Sequence, residues 1–334
     1  MVAILTLAAT LLIGCLALLA QAARKSRGAE ITLIVALLAL SLIVALVGAV
    51  VGVGLLAMAG GGDVSVSQKF AFGAVGVAAV LAGVVGIALC VTPLMKITGR
   101  RPERGFWDDP PVCLALWLFA VVLANNVVSF LIFASEPDVS TLFPGGRLSI
   151  GEVATSQLPF VILAAMGVGI GVRRGARETI RRLGYGPISL KQLGVVAVFV
   201  GVAFALSAGA DSLFSALQPG LHQTVGDLYK SLFDPSGLGP AAAVLFSLLI
   251  GLGAALGEET LFRGAVQPVF GIFPTSVLFA SMHIQYGPSV LLVFIFLLSI
   301  GLGLLRRRFN TTASFIAHAG YNTLGILLSY FLGF

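Results

Sequence analysis

The sequence predicts an all-α fold, a polytopic transmembrane helical bundle of about eight to ten membrane helices, on three observations. Apolar residues make up 58% of the 334 and charged residues only 10%, where soluble domains carry roughly a quarter charged. Apolar runs of about 18 residues or more recur along the chain, the length a helix needs to cross about 30 Å of hydrocarbon. No polar stretch exceeds about 30 residues, well short of the ~50 that an independent soluble domain needs.

The first span is expected over residues 2–22. No Lys or Arg precedes it, whereas a secretory leader opens with a basic region, and Arg24, Lys25 and Arg27 follow it. It therefore reads as a retained helix with its N-terminus outside. A second span over about 31–59 ends at the turn Gly60-Gly61-Gly62-Asp63, and a third over about 71–95 ends at Lys96, Arg100, Arg101 and Arg104. Pro110 and Pro111 open a fourth, which reaches about Ala134. An acidic loop from Glu136 to Glu152 leads to a fifth over about 155–172. That span stops at the densest basic patch, Arg173, Arg174, Arg177, Arg181, Arg182 and Lys191. The sixth covers about 193–209, and the longest polar connection, 210–239, holds His222. The seventh, about 241–263, carries Glu258, Glu259 and Arg263 at its far end. An eighth helix over about 274–286 is short for a crossing. The ninth, about 288–305, ends in Arg306-Arg307-Arg308, and the tenth runs from Thr312 to Phe334.

Loop charge sets the expected orientation. With the N-terminus outside, sixteen of the twenty Lys and Arg fall on the cytoplasmic side, and only Lys69, Arg147 and Lys230 fall opposite, with Arg263 at the boundary. That bias is the positive-inside rule, and it points to a cell-membrane protein. On this topology Glu258 lies about six residues, or ~9 Å, from the inner end of its helix, and His318 lies about 12 Å above the same surface. His283 sits ten residues into a helix that starts on that side. Three segments thus deliver ionisable groups to one depth.

Ionisable side chains at membrane depth are rare and mark function by default. Neighbouring helical residues point about 100° apart, so Glu258 and Glu259 serve different partners. Glu259 and Arg263 are spaced i, i+4 with the acid first, the better order for an ion pair, and are read as support for the helix end. Glu258 is left facing the bundle, where a carboxylate can take a proton from water. An imidazole at His283 can hold the same water or ligate a metal. His318 and Asn322 share one helix face, and two donors aimed at one point stabilise an oxyanion. A base, a water-orienting group and an oxyanion clamp are the minimum for hydrolysing an amide.

The three motifs Glu258-Glu259-x-x-x-Arg263, Phe279-x-x-x-His283 and His318-x-x-x-Asn322, in that order, resemble the signature of the CAAX-protease and bacteriocin-processing (CPBP) family. Its members are similar to the type II CAAX prenyl endopeptidase, an intramembrane protease. The resemblance covers about residues 190–334. It implies that Glu258 and His283 activate water, that Glu259 belongs to the same catalytic group, and that His318 and Asn322 hold the oxyanion. It also implies a peptide or protein substrate, either a prenylated C-a-a-X terminus or a small peptide. For the family both a glutamate mechanism and a zinc mechanism have been described. Glu258, His283 and His318 would supply three zinc ligands, but the H-E-x-x-H spacing of zinc proteases is absent. Metal-free chemistry with no cofactor is the expectation.

Plainer readings cover the remaining features. Cys15, Cys90 and Cys113 lie in apolar runs without disulfide or metal-finger spacing and read as small core residues. Asn125 and Asn126 read as an interhelical hydrogen-bonding pair, and the 41 glycines as close helix contacts. His222 is expected in solvent with no chemistry. The patch from Arg173 to Lys191 is topogenic and faces anionic headgroups. The net charge of +6 is loop charge, so the lipid bilayer is the expected partner and nucleic acid is not. Residues 1–192 form N-terminal helices of unassigned role, and 193–334 a catalytic part. The competing class is a proton-coupled transporter, since intramembrane Glu and His also build proton relays, or a non-enzymatic membrane scaffold. No internal repeat of the transporter kind is evident.

Overall fold

The computed structural model describes residues 2–59, 65–98, 105–135 and 146–332. The turn at Gly60–Asp63, the basic residues Arg100, Arg101 and Arg104, and the start of the acidic loop at Glu136 lie outside the described residues. Regular structure in the described residues is helical: α1 (Val2–Ala23), α2 (Arg27–Ala59), α3 (Val66–Ile97), α4 (Pro110–Ser135), α5 (Ile150–Gly167), α6 (Ala176–Arg182), α7 (Leu190–Leu217), α8 (Pro219–Phe233), α9 (Pro240–Glu258), α10 (Gln267–Phe270), α11 (Ile272–Ser281), α12 (Val290–Arg308) and α13 (Thr311–Leu332). Among the described residues nine helical stretches are long and apolar enough to cross a membrane, with α9 to α10 counted as one. The chain is a polytopic, multi-pass helical bundle. It divides into two compact units, residues 15–139 and residues 1–14 with 140–334.

In the first of these units glycine sets how close α2 and α3 come. A Cβ added at Gly52 would stand 2.6 Å from Gly76 Cα, so the two backbones touch, as small residues allow in membrane bundles. Trp117 Nε1 of α4 donates to Ser41 Oγ of α2 at 2.8 Å. Arg24 Nε donates to Asp109 Oδ1 at 2.7 Å, which ties the end of α1 to the turn before α4. Cys90 and Cys113 are buried free thiols, the small core residues expected, whereas Cys15 is exposed. The Asn125 amide donates to Asn126 Oδ1 at 3.4 Å, a bond within one helix.

In the other unit α5 and α7 open on Ser149-x-x-Glu152 and Ser189-x-x-Gln192 capping boxes. Helix α7 packs on α12 and α13 through Val196, Val200, Leu302, Leu305, Ala313 and Ala317. Helix α5 meets α9 and α13 at Val153, Phe246, Ile250 and Ile326. Helices α9 and α13 come close at Gly251, where a Cβ would stand 2.8 Å from Ala319 O and would clash with Thr323 Oγ1. Gly251→Ala is therefore expected to push the helices apart at a cost of about 1–3 kcal/mol, read as a lower melting temperature in detergent. An unchanged melting temperature would contradict this contact.

Four sequence expectations are corrected here. The connection at 210–239 is mostly helical: α7 continues to Leu217, and α8 follows as an amphipathic helix that buries Val225 and Leu228. Its polar face lowers the mean hydropathy while the helical period persists. His222 on α8 is not free in solvent; its Nε2 lies 2.9 Å from Asp211 Oδ1, and its ring sits edge-on to Phe214 at 5.1 Å. The seventh span does not stop at Arg263, because that side chain is neutralised inside the bundle. The helix runs on to Phe270 and ends at Gly271, whose φ of +81° is in the region glycine favours. Glu258 is thus twelve residues from the helix end, about 18 Å along the axis, twice the expected distance. The eighth helix ends at Ser281, so His283 sits in the turn beyond it.

Candidate active site

Glu258 is the last α-helical residue of α9, and Glu259–Val266 continues as a π-helical segment, a form that recurs at functional sites. Glycines flank the acidic pair and allow close neighbours. A Cβ at Gly257 would stand 2.9 Å from Gln157 O of α5, and one at Gly264 would stand 3.0 Å from Leu183 O. Hydrogen bonds hold the segment on two sides. Arg306 Nε donates to Arg263 O at 3.0 Å and Gln267 Nε2 to Gly303 O at 2.9 Å. The Tyr185 and Thr260 hydroxyls are 2.6 Å apart.

At the centre lies a chain of charged groups, buried at Glu259, Arg263 and His318 and partly exposed at Glu258. The side chains of Glu259 and Arg263 are fully buried, and Arg263 Nε donates to Glu259 Oε2 at 3.2 Å. Arg263 Nη2 donates to Ser299 Oγ of α12 at 2.9 Å, and the guanidinium lies 5.1 Å from the Phe279 ring centroid, within cation–π range. The second carboxylate oxygen, Glu259 Oε1, accepts from His318 Nδ1 at 3.1 Å. The other nitrogen of that ring, Nε2, faces Glu258 Oε2 across 4.0 Å. Glu258 Oε2 is buried and has no hydrogen-bond partner. One imidazole therefore spans both glutamates, although they point in different directions.

His283 Nδ1 donates to Phe279 O at 2.8 Å, which leaves its Nε2 free. The ring packs against Phe279 at 4.8 Å and is stacked with Tyr286 at 6.1 Å. Phe279 also meets the His318 ring edge-on at 6.0 Å, so one phenyl group touches both imidazoles. The structure thus gathers Glu258, Glu259, Arg263 and His318, with His283 beside them. Asn322 stands one turn beyond His318, half-buried. Among the described residues no hydrogen bond joins it to the cluster. On His318 the donor left for an oxyanion is Nε2, since Nδ1 is engaged with Glu259.

Among the described residues no three His, Cys, Asp or Glu side chains are placed to hold one metal ion. Two ligands on a tetrahedral zinc lie about 3.4 Å apart, against 4.0 Å between Glu258 Oε2 and His318 Nε2. The set Glu258, His283 and His318 does not fit zinc as arranged. Sequence reasoning missed Ser299, Arg306 and Tyr286. A lone serine in the run Leu297-Leu298-Ser299-Ile300 was a usable signal, because a fully buried hydroxyl needs a partner. Arg306 was masked by its two basic neighbours.

Residues 240–324 match the family model described as type II CAAX prenyl endopeptidase Rce1-like. The match spans roughly a quarter of the chain and contains every residue of the charged cluster. No curated protein and no solved structure gives a significant match. Over residues 240–324, then, this chain carries a domain of the type II CAAX prenyl endopeptidase Rce1-like family.

Proposed function

We propose that this protein is an intramembrane endopeptidase of the CAAX type, with Glu258 as the general base. The observation that carries the reading is the unpartnered, buried Glu258 Oε2 facing His318 Nε2 across 4.0 Å. Two hydrogen bonds of about 2.8 Å meeting near a right angle span a gap of that length, and in this reading one water sits there, bridging Glu258 Oε2 and His318 Nε2. Glu258 takes a proton from this water while His283 Nε2 orients it, and the oxygen adds to the peptide carbonyl. The oxyanion receives a hydrogen bond from His318 Nε2. The ring carries its second proton there because Glu259, itself paired with Arg263, supports the positive charge through Nδ1. Asn322 supplies the second donor from the next turn of α13. Collapse of the intermediate breaks the C–N bond, and protonated Glu258 returns its proton to the leaving amine.

Residues 193–334 form the catalytic part in this reading, and residues 1–192 flank it. The loop charges support a chain in the cell membrane with its N-terminus outside and its site opening toward the cytoplasm. The substrate is a peptide C-terminus, prenylated C-a-a-X or a small unmodified peptide. Quenched peptides of both kinds, incubated with the purified protein in liposomes with and without a chelator, test this. Cleavage that persists with chelator is the expected result. Loss on chelation and recovery with zinc would instead make Glu258, His283 and His318 metal ligands. No cleavage, together with Glu258-dependent proton flux, would replace the protease by a transporter.

Asn322→Ala is expected to lower kcat by about 10²- to 10³-fold with KM and melting temperature unchanged. Full kcat in this variant would remove Asn322 from the oxyanion site.

A further inference from the structure

The run of basic residues after α5 folds into a pocket. Arg173, Arg174, Arg181 and Arg182 line an open cavity of about 390 Å³ together with Glu178, within the size range of small-molecule sites. The turn that builds it, Val168 to Gly175, uses Gly169 and Gly171 at φ of +91° and +74°, and Arg174 Nη1 donates to Val168 O. Glu178 Oε2 accepts from Gly175 N at 3.2 Å, so its carboxylate caps α6. Four guanidiniums against one carboxylate leave the cavity strongly positive.

We propose that this pocket binds the phosphate of an anionic phospholipid. Guanidinium forks match phosphate oxygens in pairs. The lipid source is favoured over a free phosphate by exposed apolar neighbours of the lining residues. Val172 and Ile180, next in sequence to Arg173 and Arg181, are 47% and 56% exposed, apolar side chains available to acyl chains just beyond the end of the α5 span. The pocket is also wired to the active-site elements. Arg182 Nη1 donates to Gly264 O of the π-helical segment at 3.4 Å, and Thr311 Oγ1 at the start of α13 donates to Leu183 O at 2.6 Å. A bound lipid braces both elements, whatever chemistry they perform.

The test uses the full-length protein in uncharged detergent. Short-chain phosphatidylglycerol is expected to raise its melting temperature by several degrees. Phosphatidylcholine of equal chain length, and inorganic phosphate at equal concentration, are expected to leave it unchanged. The double variant Arg173→Gln/Arg181→Gln is expected to lose most of the shift and to bind labelled phosphatidylglycerol at least about tenfold more weakly. Arg177→Gln/Lys191→Gln removes the same charge from positions outside the pocket and is expected to keep both. Equal loss in the two double variants would reduce the pocket to diffuse attraction and overturn the proposal. So would an equal response to phosphatidylcholine, and an equal shift with inorganic phosphate would assign the site to a free anion instead.

Discussion

Glu258→Gln is expected to lower peptide cleavage at least about a thousandfold while the protein melts at or slightly above the wild-type temperature. The two halves of this result have separate causes. Glutamine keeps the shape of glutamate but cannot take a proton from water, and a positioned general base is worth about 10²- to 10⁴-fold. Stability holds because Glu258 Oε2 makes no hydrogen bond. Replacing a carboxylate whose inner oxygen makes no hydrogen bond costs the fold little, and active sites commonly trade stability for activity in this way. Single-turnover cleavage rates set beside thermal melting read both halves. Cleavage within tenfold of wild type would remove Glu258 from the chemistry.

The second large effect is on the fold. Arg263→Leu leaves the fully buried Glu259 carboxylate without its counter-charge, and breaking a buried ion pair from one side costs about 3–5 kcal/mol. A steep fall in melting temperature and in resistance to SDS is expected. Glu259→Gln/Arg263→Leu removes the stranded charge and is expected to regain more than half of the loss, a coupling that a double-mutant cycle isolates. The double variant stays poorly active, because His318 Nδ1 loses the carboxylate it donates to. An Arg263→Leu protein that melts like wild type would show that the pair contributes nothing to the bundle.

The sequence made the bundle legible because lipid forces long apolar helices, and that pattern needs no tertiary information. It also showed the Glu259–Arg263 pairing, a local consequence of i, i+4 spacing. Where it failed, the controlling contact was distant. Arg263 looked like a membrane boundary until Ser299, 36 residues away, and Glu259 shared its charge inside the bundle. The same neutralisation lets the helix run through a π-helical segment to Phe270. No periodicity marks His318 as the partner of Glu259 across 59 residues, so its assignment alongside Asn322 rested on their shared helix face. Helix α8 was overlooked because its polar face, Asp227 and Lys230 included, hid the helical period of its buried residues.

The central claim is that water held between Glu258 and His318 attacks a peptide bond. Cleavage of a farnesylated and an unmodified C-a-a-X peptide by the liposome-embedded protein in water enriched in oxygen-18, with chelator present, tests it most directly. One heavy oxygen is expected in the new carboxylate of the cleaved peptide, in product formed by wild type and absent with Glu258→Gln. Product formed equally by the Glu258→Gln protein, or no product from either peptide, would contradict it.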